Sequence, residues 1–78
     1  MNDIKEHDRI VLTADIPAEK LTAGDVGTVV HIYGSGEAYE VEFVTLNGQT
    51  VATITIEQSQ IRPIREREIT HARELSVA

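Results

Sequence analysis

The chain has 78 residues, 41% of them apolar, no cysteine and a formal charge of −6. That length suits one domain with a single core, and the missing cysteine rules out disulfides, thiolate metal sites and a cysteine nucleophile. An acidic chain is ill suited to tracking phosphate backbones, and no run approaches the ~20 apolar residues of a membrane-spanning helix.

The N-terminus, Met1 to Arg9, is charged throughout and lacks the apolar stretch of a secretory signal, so a cytoplasmic location is expected. Asp8 to Thr13 (DRIVLT) is aliphatic and β-branched, which predicts the first strand. Ala14 to Ala23 reads as a loop, because Pro17 has no donor for a ladder; Leu21 is expected to tuck beneath it. Val26 to Tyr33 predicts a second strand between Gly24-Asp25 and Gly34-Ser35-Gly36. Its faces stay open, since Val29, Val30 and Ile32 fall on both sides of a regular pleat.

Tyr39-Glu40-Val41-Glu42-Phe43 alternates apolar and acidic residues at period two. Asn47-Gly48 follows, the dipeptide favoured in two-residue type I′ hairpins because both positions need positive φ. A turn there sets Phe43 against Ala52, Val41 against Ile54 and Tyr39 against Ile56 on one face. Glu42 then meets Thr53 and Glu40 meets Thr55 on the other. A one-residue slip would bury both carboxylates. Glu57 to Gln60 is polar and one tight turn long, as in a 3-10 helix. Ile61 to Ile64 predicts a short edge strand, where Pro63 forfeits no bond.

The glycines invite a phosphate-loop reading that their context rejects. A phosphate cradle needs a lysine and a following helix. Here Gly24 and Gly27 lead into a β-branched strand, and no lysine follows Lys20. These glycines are expected to let strands bend and approach closely.

The expected fold is all-β, and the order of elements resembles a small five-stranded SH3-like barrel, in particular those with a KOW-type element. A one-turn 3-10 helix precedes the last strand and a short C-terminal tail follows. Residues 1–64 form the barrel and 65–78 the tail, mobile or helical on binding a partner. The stretches DRIVL (8–12), DIP (15–17), GDVGTVV (24–30), AYEVEF (38–43) and IRP (61–63) also resemble a family of small bacterial proteins carried as a domain of unknown function. The resemblance covers about His7 to Ile64 and brings no catalytic residues. It implies a stand-alone chain that neutralises or binds a partner, in some cases a toxin or nuclease encoded nearby.

Charge is unevenly spread. Up to Gln60, ten acidic residues (Asp3, Glu6, Asp8, Asp15, Glu19, Asp25, Glu37, Glu40, Glu42, Glu57) face Lys5, Arg9 and Lys20, for −7. From Ile61 on, Arg62, Arg65, Arg67 and Arg73 face Glu66, Glu68 and Glu74, for +1. The body therefore suits a basic protein better than a nucleic acid. Glu40 and Glu42 are the one carboxylate pair in a candidate site, but a sheet face lined with threonine offers no cleft to perturb their acidity. His7, His31 and His71 are dispersed without metal-ligand spacing. With no tryptophan, and Tyr39 and Phe43 assigned to the core, stacking on nucleic acid and proline-rich recognition lack a platform.

The expectation is a non-catalytic protein-binding module without metal or cofactor, a monomer or weak dimer, possessing an antitoxin-like role against a basic partner. Its candidate contact residues are Tyr33, Glu40, Glu42, Thr53 and Thr55 on the sheet, with Ile69 and Leu75 in the tail. The alternatives are an accessory subunit of a larger complex and a KOW-like RNA- or ribosome-associated domain.

Overall fold

The computed structural model describes residues 4–75. Met1 to Asp3, at the charged start, and Ser76 to Ala78, at the end of the expected tail, lie outside the described residues. Five antiparallel strands form one sheet: β1 (Arg9–Leu12), β2 (Val26–Tyr33), β3 (Ala38–Val44), β4 (Thr50–Glu57) and β5 (Ile61–Pro63). Their order is β4-β3-β2-β1-β5. A 3-10 turn, Gln58–Gln60, precedes β5 as expected; it is closed by a capping box between Glu57 and Gln60. A second one, Pro17–Glu19, breaks the β1–β2 loop, with Pro17 in its first turn and Lys20 left-handed at φ 59°. Leu21 pairs back to Ile16 and is buried. Among the described residues no helix is long and apolar enough to cross a membrane.

The sheet is open, which corrects the expectation of a closed barrel. β5 is three residues long and ends at a proline, which has no donor to offer a further strand, and among the described residues it pairs with β1 alone. Among the described residues, β4 likewise pairs with β3 alone. These two strands are the sheet's edges.

β2 resolves its own ambiguity with a bulge. Its pairing with β3 runs Thr28–Glu42 and Val29–Val41, then resumes at His31–Glu40 and Ile32–Tyr39. Val30 is the extra residue. It lets Val29 and Ile32, three apart, both face the core, while Val30 is exposed.

The β3–β4 register is the one the alternation predicts: Tyr39–Ile56, Glu40–Thr55, Val41–Ile54, Glu42–Thr53 and Phe43–Ala52. The turn differs. Only Gly48 has positive φ, at 93°, and Asn47 does not, so the loop is not type I′. Gly48 N–H donates to Thr45 O and Thr45 N–H to Gln49 O, which makes a three-residue loop with glycine in its last position. That loop alone would offset the strands by one. A second irregularity, between Val44–Thr50 and Phe43–Ala52, restores the register. Thr45 Oγ1 stiffens the loop, accepting from Gln49 N–H at 3.0 Å and donating to Asn47 Oδ1.

Ile10, Leu12, Val29, Val41 and Ile56 are the largest fully buried side chains, and Tyr39 and Phe43 pack with them. Gly27 belongs to this packing. A Cβ there would lie 2.5 Å from Val41 Cγ1 and 2.8 Å from Phe43 Cε2, so the strand tolerates no side chain at that point. The glycine serves close approach, at a strand start with no helix after it.

Candidate functional site

The outward face of β2, β3 and β4 gathers five of the sequence-predicted residues. Alternation aims Glu40 and Glu42 away from the core, and the bulge at Val30 brings His31 and Tyr33 onto the same side. Glu40 Oε1 accepts hydrogen bonds from Thr55 Oγ1 at 2.6 Å and Tyr33 OH at 3.2 Å. Glu42 Oε2 accepts from Thr50 Oγ1 at 2.7 Å, whereas Thr53, its partner in register, makes no such bond. The His31 ring packs edge-on against Tyr33, with centroids 4.7 Å apart. Its Nδ1 lies 3.9 Å from Glu6 Oε2, brought in by the turn before β1. Tyr33 is 42% exposed, enough to offer a ring to a visitor.

Hydroxyl donors orient these carboxylates without neutralising them. Among the described residues neither Glu40 nor Glu42 has a lysine or arginine within ion-pair distance, and no three His, Asp or Glu side chains are grouped to hold a metal.

Ile69 and Leu75, the other two candidates, lie elsewhere. Residues 64–75 carry no helix and run as an irregular strap past the start of β2. With Leu21, Phe43, Leu46 and Val51, residues 69–75 of the strap line an open groove of about 770 Å³. Ile69 is 91% exposed there and Leu75 half-buried. Two ion pairs hold the strap. Arg62 grips Glu68 at 3.0 and 2.6 Å, and Glu68 also accepts from Arg65 N–H at 2.6 Å. These partners lower the Glu68 carboxyl from 4.5 to about 2. Arg73 reaches Asp25 and the Lys20 carbonyl. Burial pushes the Asp25 carboxyl up, but the bonds from Arg73 and Thr22 N–H outweigh it and leave it below the usual aspartate value.

Reasoning from sequence missed Glu6 and both clamps. The Arg62–Glu68 pair spans six residues without helical spacing, and Arg73 is 48 residues from Asp25, so no local pattern announces either.

The model of a family described as a domain of unknown function, DUF4926, matches residues 6–63. The chain belongs to that family. The DUF4926 match begins at Glu6 and ends with β5 at Pro63, so it takes in the whole outward face and stops short of the strap. No curated protein and no solved structure matches the chain significantly.

Proposed function

We propose that this DUF4926 chain is a non-catalytic, cytoplasmic protein-binding module whose acidic sheet face engages a basic protein. The observation that carries the reading is the pair Glu40 and Glu42: outward, preset by hydroxyl donors, without a cationic partner among the described residues, and beside exposed Tyr33. A carboxylate held in place loses little side-chain freedom on meeting an arginine. An exposed tyrosine beside it adds contact area of the kind that anchors interfaces. The charge of −6 favours encounter with a cationic surface and disfavours nucleic acid. The strand order β4-β3-β2-β1-β5 with a 3-10 turn before β5 supports an SH3-like relationship, a fold type used widely for docking.

The partner this reading favours is a basic toxin or nuclease encoded nearby, which the module would neutralise by occupying its cationic surface. The test is the association rate between the two proteins from ~20 mM to ~500 mM salt, where electrostatic steering is progressively screened. The rate falls severalfold across that range, and Glu40→Gln/Glu42→Gln starts lower and falls less. A rate indifferent to salt and to the double variant ends the reading. Purification in a fixed assembly that has no basic member points instead to a subunit of a larger complex.

A further inference from the structure

We propose that the outer edge of β4 is a homotypic pairing surface, on which a second copy of this chain adds its own β4 antiparallel to form a two-fold dimer. This does not rest on the acidic-face reading. β4 is hydrogen-bonded to β3 on one side; among the described residues no other backbone segment bonds to Thr50–Ile56. Natural sheets protect such edges with proline, lysine, bulges or extreme shortness. The opposite edge follows that rule, since β5 is three residues long with Arg62 and Pro63. β4 is eight residues long, TVATITIE, with no proline or lysine and one charge, at its end. Its only irregularity lies near the turn, between Thr50 and Ala52, which leaves the stretch from Ala52 to Ile56 regular.

A second observation marks the same edge as incomplete. Phe43 and Val41 are 3% and 0% exposed, yet the residues opposite them in register, Ala52 and Ile54, are only half-buried. Ala52 and Ile54 in the inward row of β4 face the core without being covered on their outer flank, whereas Ile56, next along the row, is buried. A strand laid beside β4 would cover that flank.

Self-complementarity selects the occupant. In a two-fold pair centred on Thr53, that residue meets its own copy and Ala52 meets Ile54. Centred on Ile54, Thr53 meets Thr55. Centred on Ile54, threonine pairs with threonine outside and apolar with apolar inside from Ala52 to Ile56, the matches antiparallel ladders favour; centred on Thr53, the same matching holds only from Ala52 to Ile54, and Thr55 and Ile56 face Val51 and Thr50. Glu57, the strand's one charge, faces position 49 or 51 and never its own copy. Elsewhere a chain of charge −6 repels itself, and a basic partner gains nothing from an uncharged edge. Glu40 and Glu42 sit one strand inward, so the facing carboxylates end up about 14 Å apart, three strand spacings, beyond the Debye length at physiological salt. Dimerisation therefore strengthens as salt rises, opposite to the expectation for a basic partner.

One strand pair buries less than a standard interface, so the dissociation constant is on the order of 100 μM. The test is sedimentation velocity and amide exchange on the full chain from ~10 μM to ~1 mM, at low and physiological salt. The dimer fraction rises with concentration and with salt, and exchange slows in β4 specifically. Thr53→Lys/Thr55→Lys and Thr53→Glu/Thr55→Glu, both at exposed positions, each weaken dimerisation at least about tenfold in dissociation constant, and mixing them restores a heterodimer. A chain that stays monomeric throughout, a dimer whose β4 amides exchange unchanged, or variants that dimerise like the parent each overturn the proposal. So does β4 protection that appears only when a basic protein is added. Should a variant lose its fold by circular dichroism, amide exchange on the parent chain decides alone.

Discussion

Arg73 lies 48 residues beyond Asp25, yet its guanidinium closes on that carboxylate through Nε at 2.9 Å and Nη2 at 2.5 Å. The same carboxylate accepts the Thr22 N–H at 2.9 Å, so one aspartate ties together the β1–β2 loop, the start of β2 and the strap. The partners are one-third and one-sixth exposed, with side-chain values of 34% and 17%. A pair so placed contributes at most about 1 kcal/mol to global stability. Its larger effect is local. Arg73→Ala is expected to leave the unfolding midpoint nearly unchanged while protease cleavage between Arg65 and Leu75 accelerates. A large loss of global stability would show instead that the strap is integral to the core.

Acid should release the strap before it unfolds the sheet. The carboxylates of Asp25 and Glu68 ionise more readily in the folded chain than in the unfolded one, Asp25 below its reference of 3.8 and Glu68 at about 2 against 4.5. A lowered carboxyl pKa stabilises above the unfolded value, and that contribution disappears as pH falls through the folded value. Both clamps are thus complete above pH 4.5 and loosen in acid, the Glu68 contribution disappearing as pH falls through about 2. Chemical shifts of Ile69 and Ala72 followed from pH 7 to pH 2 are expected to move to unstructured values while those of Val41 and Ile56 hold. Release on raising the pH would contradict the clamps.

The bulge at Val30 makes neighbouring valines unequal. Val29 is fully buried and Val30 is 38% exposed. Val29→Ala removes two buried methyl groups and leaves a small cavity, for a loss of about 2 kcal/mol. Val30→Ala is expected to change stability by less than about 0.5 kcal/mol. Denaturant midpoints of the two variants check this; comparable losses would mean that the strand runs without a bulge.

What the sequence reveals and conceals follows the same division. Alternation over Tyr39 to Phe43, answered by Ala52, Ile54 and Ile56, specifies faces and register, because a misregistered sheet would bury Glu40 and Glu42. The turn is the exception: Asn47-Gly48 suggests type I′, but Thr45 offers a competing set of side-chain bonds to Asn47 and Gln49 that closes a three-residue loop. Bulges at Val30 and between Thr50 and Ala52 leave no mark in composition, since each is a local change of dihedral angles among β-branched residues that are at home in any strand. Open edges are equally silent, because closure depends on how strands from opposite ends of the chain meet. Of the candidate site, Glu40, Glu42, Thr53 and Thr55 are legible as one face; Tyr33 joins it only through the bulge in β2, and Ile69 and Leu75 belong to a groove beside the distant pairing of Arg73 with Asp25.

Gly27 provides the sharpest test of the packing. It is buried within β2 opposite Ile10, and its missing Cβ is what admits Val41 Cγ1 and Phe43 Cε2. Gly27→Ala forces a methyl group to within 2.5 Å of the valine methyl and 2.8 Å of the phenylalanine ring. Neither neighbour has an easy retreat, since both are packed in the core. Overpacking of this kind costs about 1–3 kcal/mol. For a chain this small each kcal/mol lowers the melting temperature by roughly 4–8 °C. Gly48→Ala provides the contrast: nothing lies within 4 Å of its Cβ, so its cost is only the strain of φ +93° in the hairpin loop, about 1 kcal/mol. Trimming the neighbour should distinguish the two mechanisms. Val41→Ala in the Gly27→Ala background is expected to recover part of the loss, with a favourable coupling energy in a double-mutant cycle, and to recover nothing in the Gly48→Ala background. Additive losses at Gly27 and Val41 would mean that the close approach of β2 to the β3 side chains is not what excludes a side chain at position 27.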